Sequence, residues 1–396
     1  MANNRLWLVA CVSVALVALS ACGSSSHSLT TPSNTEFLYS LASTGTLQNP
    51  GETLLSFTVD PSSGAVTQTS SSALSQLTDG IAVRPDARFL YLSDVEPNGN
   101  FIDIYSLDAT TGVPTPGNPY PVSCSGPFCI PVSAPGVLAM NSVGTTLYYG
   151  SSSLGTIQQA IGALTSDPSS GALSAVSGSP FSANLVPAYV LVHPSGQFLY
   201  TEDISGPSPE GFALASVSAY PIDSATGALG AAVSYPPGAN AEVTGFAVHP
   251  SGQFLYASTG ATGNGILAWS IDSSTGALTP LAGSPLQTGT DSFGIVFDPS
   301  GQFLYTGAGK SGGIYGYSID ANSGALTPLT GSPFFAGTLL NGLIVDPSGQ
   351  LLFAAGPNDS LVAIQRDPAT GALGSQLSTT TVNGSPSWLK AVQAPQ

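Results

Sequence analysis

Apolar and polar positions in this chain alternate in short blocks, and after residue 22 no stretch repeats at helical spacing. One block is typical. The apolar run Phe293–Phe297 is followed by Asp298-Pro299-Ser300-Gly301 and then by Gln302-Phe303-Leu304-Tyr305. Asp, Pro and Gly at the first, second and fourth positions suit a type I turn, because proline presets φ and glycine relieves crowding. The aromatic and aliphatic flanks suit strands. Near-copies lie at Val192–Tyr200, His249–Tyr256 and Val345–Phe353, and weaker ones at Val83–Tyr91 and Met140–Tyr149. Glu36–Tyr39 keeps only the second half, which makes seven occurrences.

A second pattern follows each copy. Ile271-Asp272-Ser273-Ser274-Thr275-Gly276-Ala277-Leu278 is its clearest form, and it recurs at stretches ending in Leu173, Leu229, Leu326 and Leu373. Val59–Ala65 and Leu107–Val113 complete the set. Each reads as a strand end, an Asx turn, a glycine at a position needing positive φ, and a new strand. These glycines fall at 64, 112, 171, 227, 276, 324 and 371. They are roughly 50 residues apart, and two hairpins in that period give four strands per unit, the pattern of a propeller blade.

The prediction is therefore an all-β, seven-bladed β-propeller over residues 35–393, with four antiparallel strands per blade. Blade 1 has three strands within 35–70 and no apolar strand ahead of them. Its missing innermost strand is Ser387–Val392, so 386–393 joins 35–70 and closes the ring. The other blades cover approximately 76–122, 133–181, 186–237, 242–287, 291–336 and 339–382.

Composition sharpens this picture. The net charge is −16, from 6 Lys plus Arg against 22 Asp plus Glu. Such a field repels nucleic acid and anionic surfaces, which excludes a nucleic-acid partner. Residues 1–22 carry Arg5, a short apolar core at Leu6–Ala18 and then Leu19-Ser20-Ala21-Cys22. The last four residues resemble a bacterial lipobox, so a cleaved signal peptide and lipidation of Cys22 are expected. The Ser- and Thr-rich segment 23–34 reads as a flexible tether. The chain is then expected to be extracytoplasmic, held at a membrane by lipid alone, and monomeric. Cys124 and Cys129 remain as a pair, and in an oxidising compartment they are expected to form a disulfide.

The His-Pro-Ser-Gly-Gln-Phe-Leu-Tyr copies, the Thr-Gly-Ala-Leu turns and the Gly283-Ser284-Pro285 and Gly331-Ser332-Pro333 segments resemble the lactonase-type seven-bladed propellers. That family includes 6-phosphogluconolactonase-like and carboxymuconate-cyclase-like proteins. The resemblance implies lactone hydrolysis at a Gly-Pro-Arg-His motif ahead of an innermost strand, with an acid after the next strand. Here the matching stretch is Val186-Pro187-Ala188-Tyr189, so Ala188 and Tyr189 replace the Arg and the His. Glu202 and Asp203 lie near the expected acid and are the candidate catalytic carboxylates.

The equivalent positions of the other blades surround the channel mouth. Asp79, Tyr189, Glu242, Asp291, Lys310, Asn341 and Trp388 are the candidate ligand-binding residues there. An acidic and aromatic rim suits a neutral sugar or a cation better than a phosphorylated lactone. His193 and His249 share a slot with Asp298, Asp346, Arg84 and Asn141, which marks a turn position and leaves no histidine base for the mouth. No motif implies a cofactor or a metal. The expected function is binding of a small neutral ligand, a glycan or an envelope protein at the mouth. The alternatives are a lactone hydrolase and a cell-surface interaction scaffold.

Overall fold

A computed structural model describes residues 35–395, apart from 45–50, 75–77, 97–98, 123–128, 132–137, 154–158, 209–210, 237–242, 261–264, 288–291, 309–311, 339 and 357. The described residues form strands, turns and bends, with no helix among them. The strands make seven antiparallel sheets, each with a main path of four strands. Short additional strands flank three of them, and Cys129–Pro131 adds to the sheet of blade 3.

Blade 1 is completed from the far end of the chain, as the sequence predicts. Ser385–Gln393 pairs with Glu36–Ser43, followed outward by Glu52–Asp60 and Ala65–Leu74. The innermost strands of blades 2 to 7 are Thr78–Val83, Leu138–Met140, Val186–Val192, Val243–Val248, Ser292–Phe297 and Asn341–Val345. The predicted signal peptide, tether and lipidated Cys22 lie outside the described residues. So does Cys124, and for Cys129 only the backbone is described.

The two repeated sequence patterns turn out to be partners across blade boundaries. Tyr39, Tyr91, Tyr148, Tyr200, Tyr256 and Tyr305 close the Phe-Leu-Tyr-type blocks of blades 1 to 6. They donate their buried hydroxyls to the carbonyls of Gly112, Gly171, Gly227, Gly276, Gly324 and Gly371 in the next blade, at 2.9, 3.2, 2.9, 2.9, 2.7 and 2.6 Å. All six glycines have φ between 66° and 77°, the left-handed region that glycine alone enters freely. At Gly371 a Cβ would also stand 2.3 Å from the Phe303 ring, so the next blade's turn lies flat on the aromatic ring. The core is correspondingly a series of clusters between adjacent blades rather than one central mass.

The seven turn aspartates have a local task. Asp272 accepts from the backbone N–H groups of Ser274 and Thr275 at 3.0 and 2.9 Å and from both of their hydroxyls. These donors favour the charged carboxylate and lower its pKa to about 2. Asp60, Asp108, Asp167, Asp223, Asp320 and Asp367 are lowered for the same reason.

Candidate functional site

The hairpin turns that join innermost strands to their neighbours gather at one end of the channel. The ends at which the chain enters the innermost strands lie at the other end, which is the mouth. Among the predicted mouth residues, Glu242, Asp291 and Lys310 lie outside the described residues. Asp79, Asn341 and Trp388 sit on innermost strands, with their side chains outside the described set. Trp388 is not the equivalent of the other two: Lys390 stands opposite Tyr39 where Ala82 and Ile344 stand opposite Tyr91 and Phe353, so Ser387 takes the place of Asp79 and Asn341. Tyr189 is described fully. It is 8% exposed, packs edge-on against Phe246 with ring centroids 6.4 Å apart, and its hydroxyl reaches the Thr244 carbonyl at 3.4 Å. Burial raises its phenol pKa, and the nearby Glu202 charge adds to the effect.

Glu202 and Asp203 are neighbours in sequence, but their side chains go to different faces of the sheet. Successive side chains of a strand point to opposite faces, and both residues lie within Phe198–Ser208. Glu202 pairs across the ladder with Tyr189, and Asp203 pairs with Pro187. Ala188 falls in the register shift between them, so the replaced Arg position is a buried bulge, 3% exposed. Asp203 is fully buried and accepts hydroxyl bonds from Thr201 at 2.6 Å, from Ser216 at 3.0 Å and from Ser218. Burial raises its pKa, and the three hydroxyls pull in the opposite direction. Glu202 is 2% exposed.

His193 and His249 are turn residues, as the shared slot predicts. The Ser195 and Ser251 backbone N–H groups donate to Nδ1 of His193 and His249 at 3.1 Å. Each Nε2 must then carry its proton to the carbonyl it meets, Gly252 at 2.8 Å and Gly301 at 2.6 Å in the next blade. Neither ring has a nitrogen left for base catalysis. Among the described residues no group of three or more His, Cys, Asp or Glu side chains could hold a metal.

The channel itself contains a cavity of about 440 Å³. Its wall includes Ile81, Leu138, Tyr189, Val190, Phe246 and Lys390 from five of the innermost strands. It reaches Pro85 in the first turn, so it occupies the half of the channel nearer the turns. Neither Glu202 nor Asp203 lines it. Lys390, which sequence reasoning did not single out, does. Enclosure by the strands lowers its pKa, because burial disfavours the ammonium.

Residues 214–337 match the family model described as Lactonase, 7-bladed beta-propeller. The fold is that of the lactonase-type propellers. Among solved structures, this propeller is similar to a periplasmic gluconolactonase of Pseudomonas aeruginosa, with 19% identity and a TM-score of 0.67 over 90% of this chain and 100% of the other. A candidate 6-phosphogluconolactonase of Bacteroides uniformis gives 17% identity and 0.68 over 91% and 100%. Another from Bacteroides fragilis gives 18% and 0.64 over 92% and 99%. No curated protein matches the sequence.

Proposed function

We propose that this lactonase-like propeller is a lipid-anchored, extracytoplasmic binding protein that takes a small neutral ligand or glycan at its channel mouth. One observation carries this reading. The two carboxylates offered by the sequence are built into blade 4, where Asp203 is enclosed by three hydroxyls and Glu202 is buried across the ladder from Tyr189. A general base must reach the proton it abstracts, and the channel cavity is walled by aliphatic and aromatic side chains and Lys390, with neither carboxylate on it. Aromatic faces such as Tyr189 and Phe246 suit the apolar faces of a sugar ring. The Leu-Ser-Ala-Cys sequence ending at Cys22 supports the anchor, and the periplasmic gluconolactonase neighbour fits that address.

Lactone hydrolysis is the second reading. The family match over 214–337 and the placement of Glu202 opposite Tyr189 favour it. Purified protein is assayed with D-glucono-1,5-lactone against the spontaneous rate, alongside Glu202→Gln, while neutral oligosaccharides are screened by calorimetry. Binding without turnover supports the binder. Turnover that the Gln variant loses replaces it with the hydrolase. The anchor is tested separately by Cys22→Ala, which is expected to move the protein from the membrane to the soluble fraction.

A further inference from the structure

One level of the channel wall breaks the sevenfold pattern. Ala82, Ala139, Leu191, Ala247, Val296 and Ile344 occupy equivalent places on six innermost strands, each opposite the Tyr, or Phe353, that ends the Phe-Leu-Tyr-type block. All six are apolar. The seventh place, opposite Tyr39, is Lys390. The whole chain has two lysines, Lys310 and Lys390, so this is not one of many scattered surface amines.

Lys390 is also unlike the other described cations. Arg84 pairs with Asp86 and reaches the Asp167 carbonyl, Arg88 reaches the Pro168 carbonyl, and Arg366 pairs with Asp298. Lys390 has no hydrogen bond or ion pair with any described residue, and burial is the one influence resolved on its amine. An amine in an apolar enclosure is costly to charge unless a partner of opposite sign joins it. Six of the blades avoid that cost with Ala, Leu, Val or Ile at the same level.

The geometry points to a second binding site, in the turn-side half of the channel, for a small monocarboxylate with an apolar or aromatic body. The Lys390 ammonium takes the carboxylate as a charge-assisted pair, strengthened by the low-dielectric wall. Ile81, Leu138, Val190 and Phe246 take the body. The single cation fits one negative charge, and the wall between the strands offers no second positive group among the described residues. Its lining comes from the strand halves that lead to the turns and shares Tyr189 and Phe246 with the wall offered to a sugar above, so the two ligands are told apart by charge: a neutral sugar gains nothing from Lys390.

Benzoate is the probe, with benzyl alcohol as the uncharged control, measured by calorimetry and by ligand-observed NMR on the intact mature chain. Benzoate is expected to bind and benzyl alcohol to bind more weakly. Lys390→Met, which removes the charge of this half-buried side chain and keeps the volume, is expected to fold at least as stably and to weaken benzoate by roughly tenfold to a hundredfold while leaving benzyl alcohol unchanged. Lys390→Arg keeps the charge and is expected to retain benzoate binding. Equal benzoate affinity in the wild type and Lys390→Met overturns the proposal, as does an absence of benzoate binding to the wild type. Either result leaves the mouth reading untouched, because neutral sugars are titrated in the same experiment.

Discussion

The six seams between blades 1 and 7 in chain order and the seam that closes the ring are built differently. Each regular seam has a buried tyrosine hydroxyl on the next blade's turn glycine. At the closing seam the tyrosine is Phe353, and the Gly64 carbonyl instead receives the Ser378 hydroxyl at 3.0 Å from an outer strand. On the turn side, His193 and His249 reach across two regular seams to a backbone carbonyl. At the closing seam no turn faces Asp346, because blade 1 takes its inner strand from the far end of the chain. Asp346 meets Glu36 there, two buried acids side by side. A repeated unit can thus specify every seam but the last, and the last needs its own chemistry.

The largest expected effect comes from removing that closure outright. Deleting 385–396 strips the innermost strand from blade 1 and exposes the edge that carries Phe37, Leu38 and Leu41, all fully buried. A protein with that gap is expected to lose its cooperative thermal transition, well beyond the ~4–5 kcal/mol that marks an exceptional point mutation. A sharp melt close to the wild-type temperature would show that the ring holds without its closing strand.

A buried cation at a regular seam comes next. Arg366 is 2% exposed, pairs with Asp298 at 3.0 Å, donates to the Tyr305 hydroxyl at 2.8 Å and to the Gly349 carbonyl at 2.6 Å, and lies over the Phe303 ring. Arg366→Met leaves Asp298 buried without its counter-charge, at a cost of about 3–5 kcal/mol in urea unfolding. The double variant Arg366→Met with Asp298→Asn is expected to recover much of that loss.

The acid pair gives the closing seam a pH dependence of its own. Burial, and then the Asp346 charge, raise the Glu36 pKa from 4.5 to about 8. The folded protein therefore holds a proton that the unfolded chain releases. The stability tied to that proton is complete below about 4.5, declines as pH rises, and is gone above about 8. Glu36→Gln is expected to flatten the melting temperature between pH 5 and pH 9 and to raise it at the alkaline end. A wild-type curve that is already flat over that range would contradict the shared proton.

The smallest effect tests whether the two kinds of seam can be exchanged. Tyr256→Phe strands the Gly324 carbonyl and is expected to cost about 1–2 kcal/mol. Phe353→Tyr combined with Ser378→Ala moves the closing seam toward the regular pattern and is expected to be close to neutral. Denaturant midpoints of the two variants, compared with the wild type, measure the exchange.

Much of this architecture was legible because turns are encoded locally. Pro-Ser-Gly and Asp-x-x-Thr-Gly stretches state their own backbone geometry within a few residues, and their recurrence counted the blades. The closing strand could be inferred because blade 1 lacked a partner for its first strand. The pairing of tyrosine with glycine could not, because it joins residues from adjacent blades that no local rule connects. The fate of Glu202 and Asp203 depended on register. The bulge at Ala188 and the hydroxyls of Ser216 and Ser218 on the adjacent strand become visible only once the ladder is known. Lys390 was missed for a related reason. The register of the closing strand, which puts Ala391 opposite Leu38 where Val248 stands opposite Leu255 and so brings Lys390 to the level of Ala247, is set by the ladder and by no local pattern.

The borrowed inner strand also has a consequence for assembly in time. Glu36–Ser43 is among the first pieces of the propeller to be synthesised, yet its inner edge waits until almost the whole remaining polypeptide has followed. Throughout that interval the growing arc has adhesive ends, and a closing segment from a neighbouring chain satisfies them as well as its own does. A high local concentration of growing chains favours such exchanged pairs, and dilution favours the self-sealed circle.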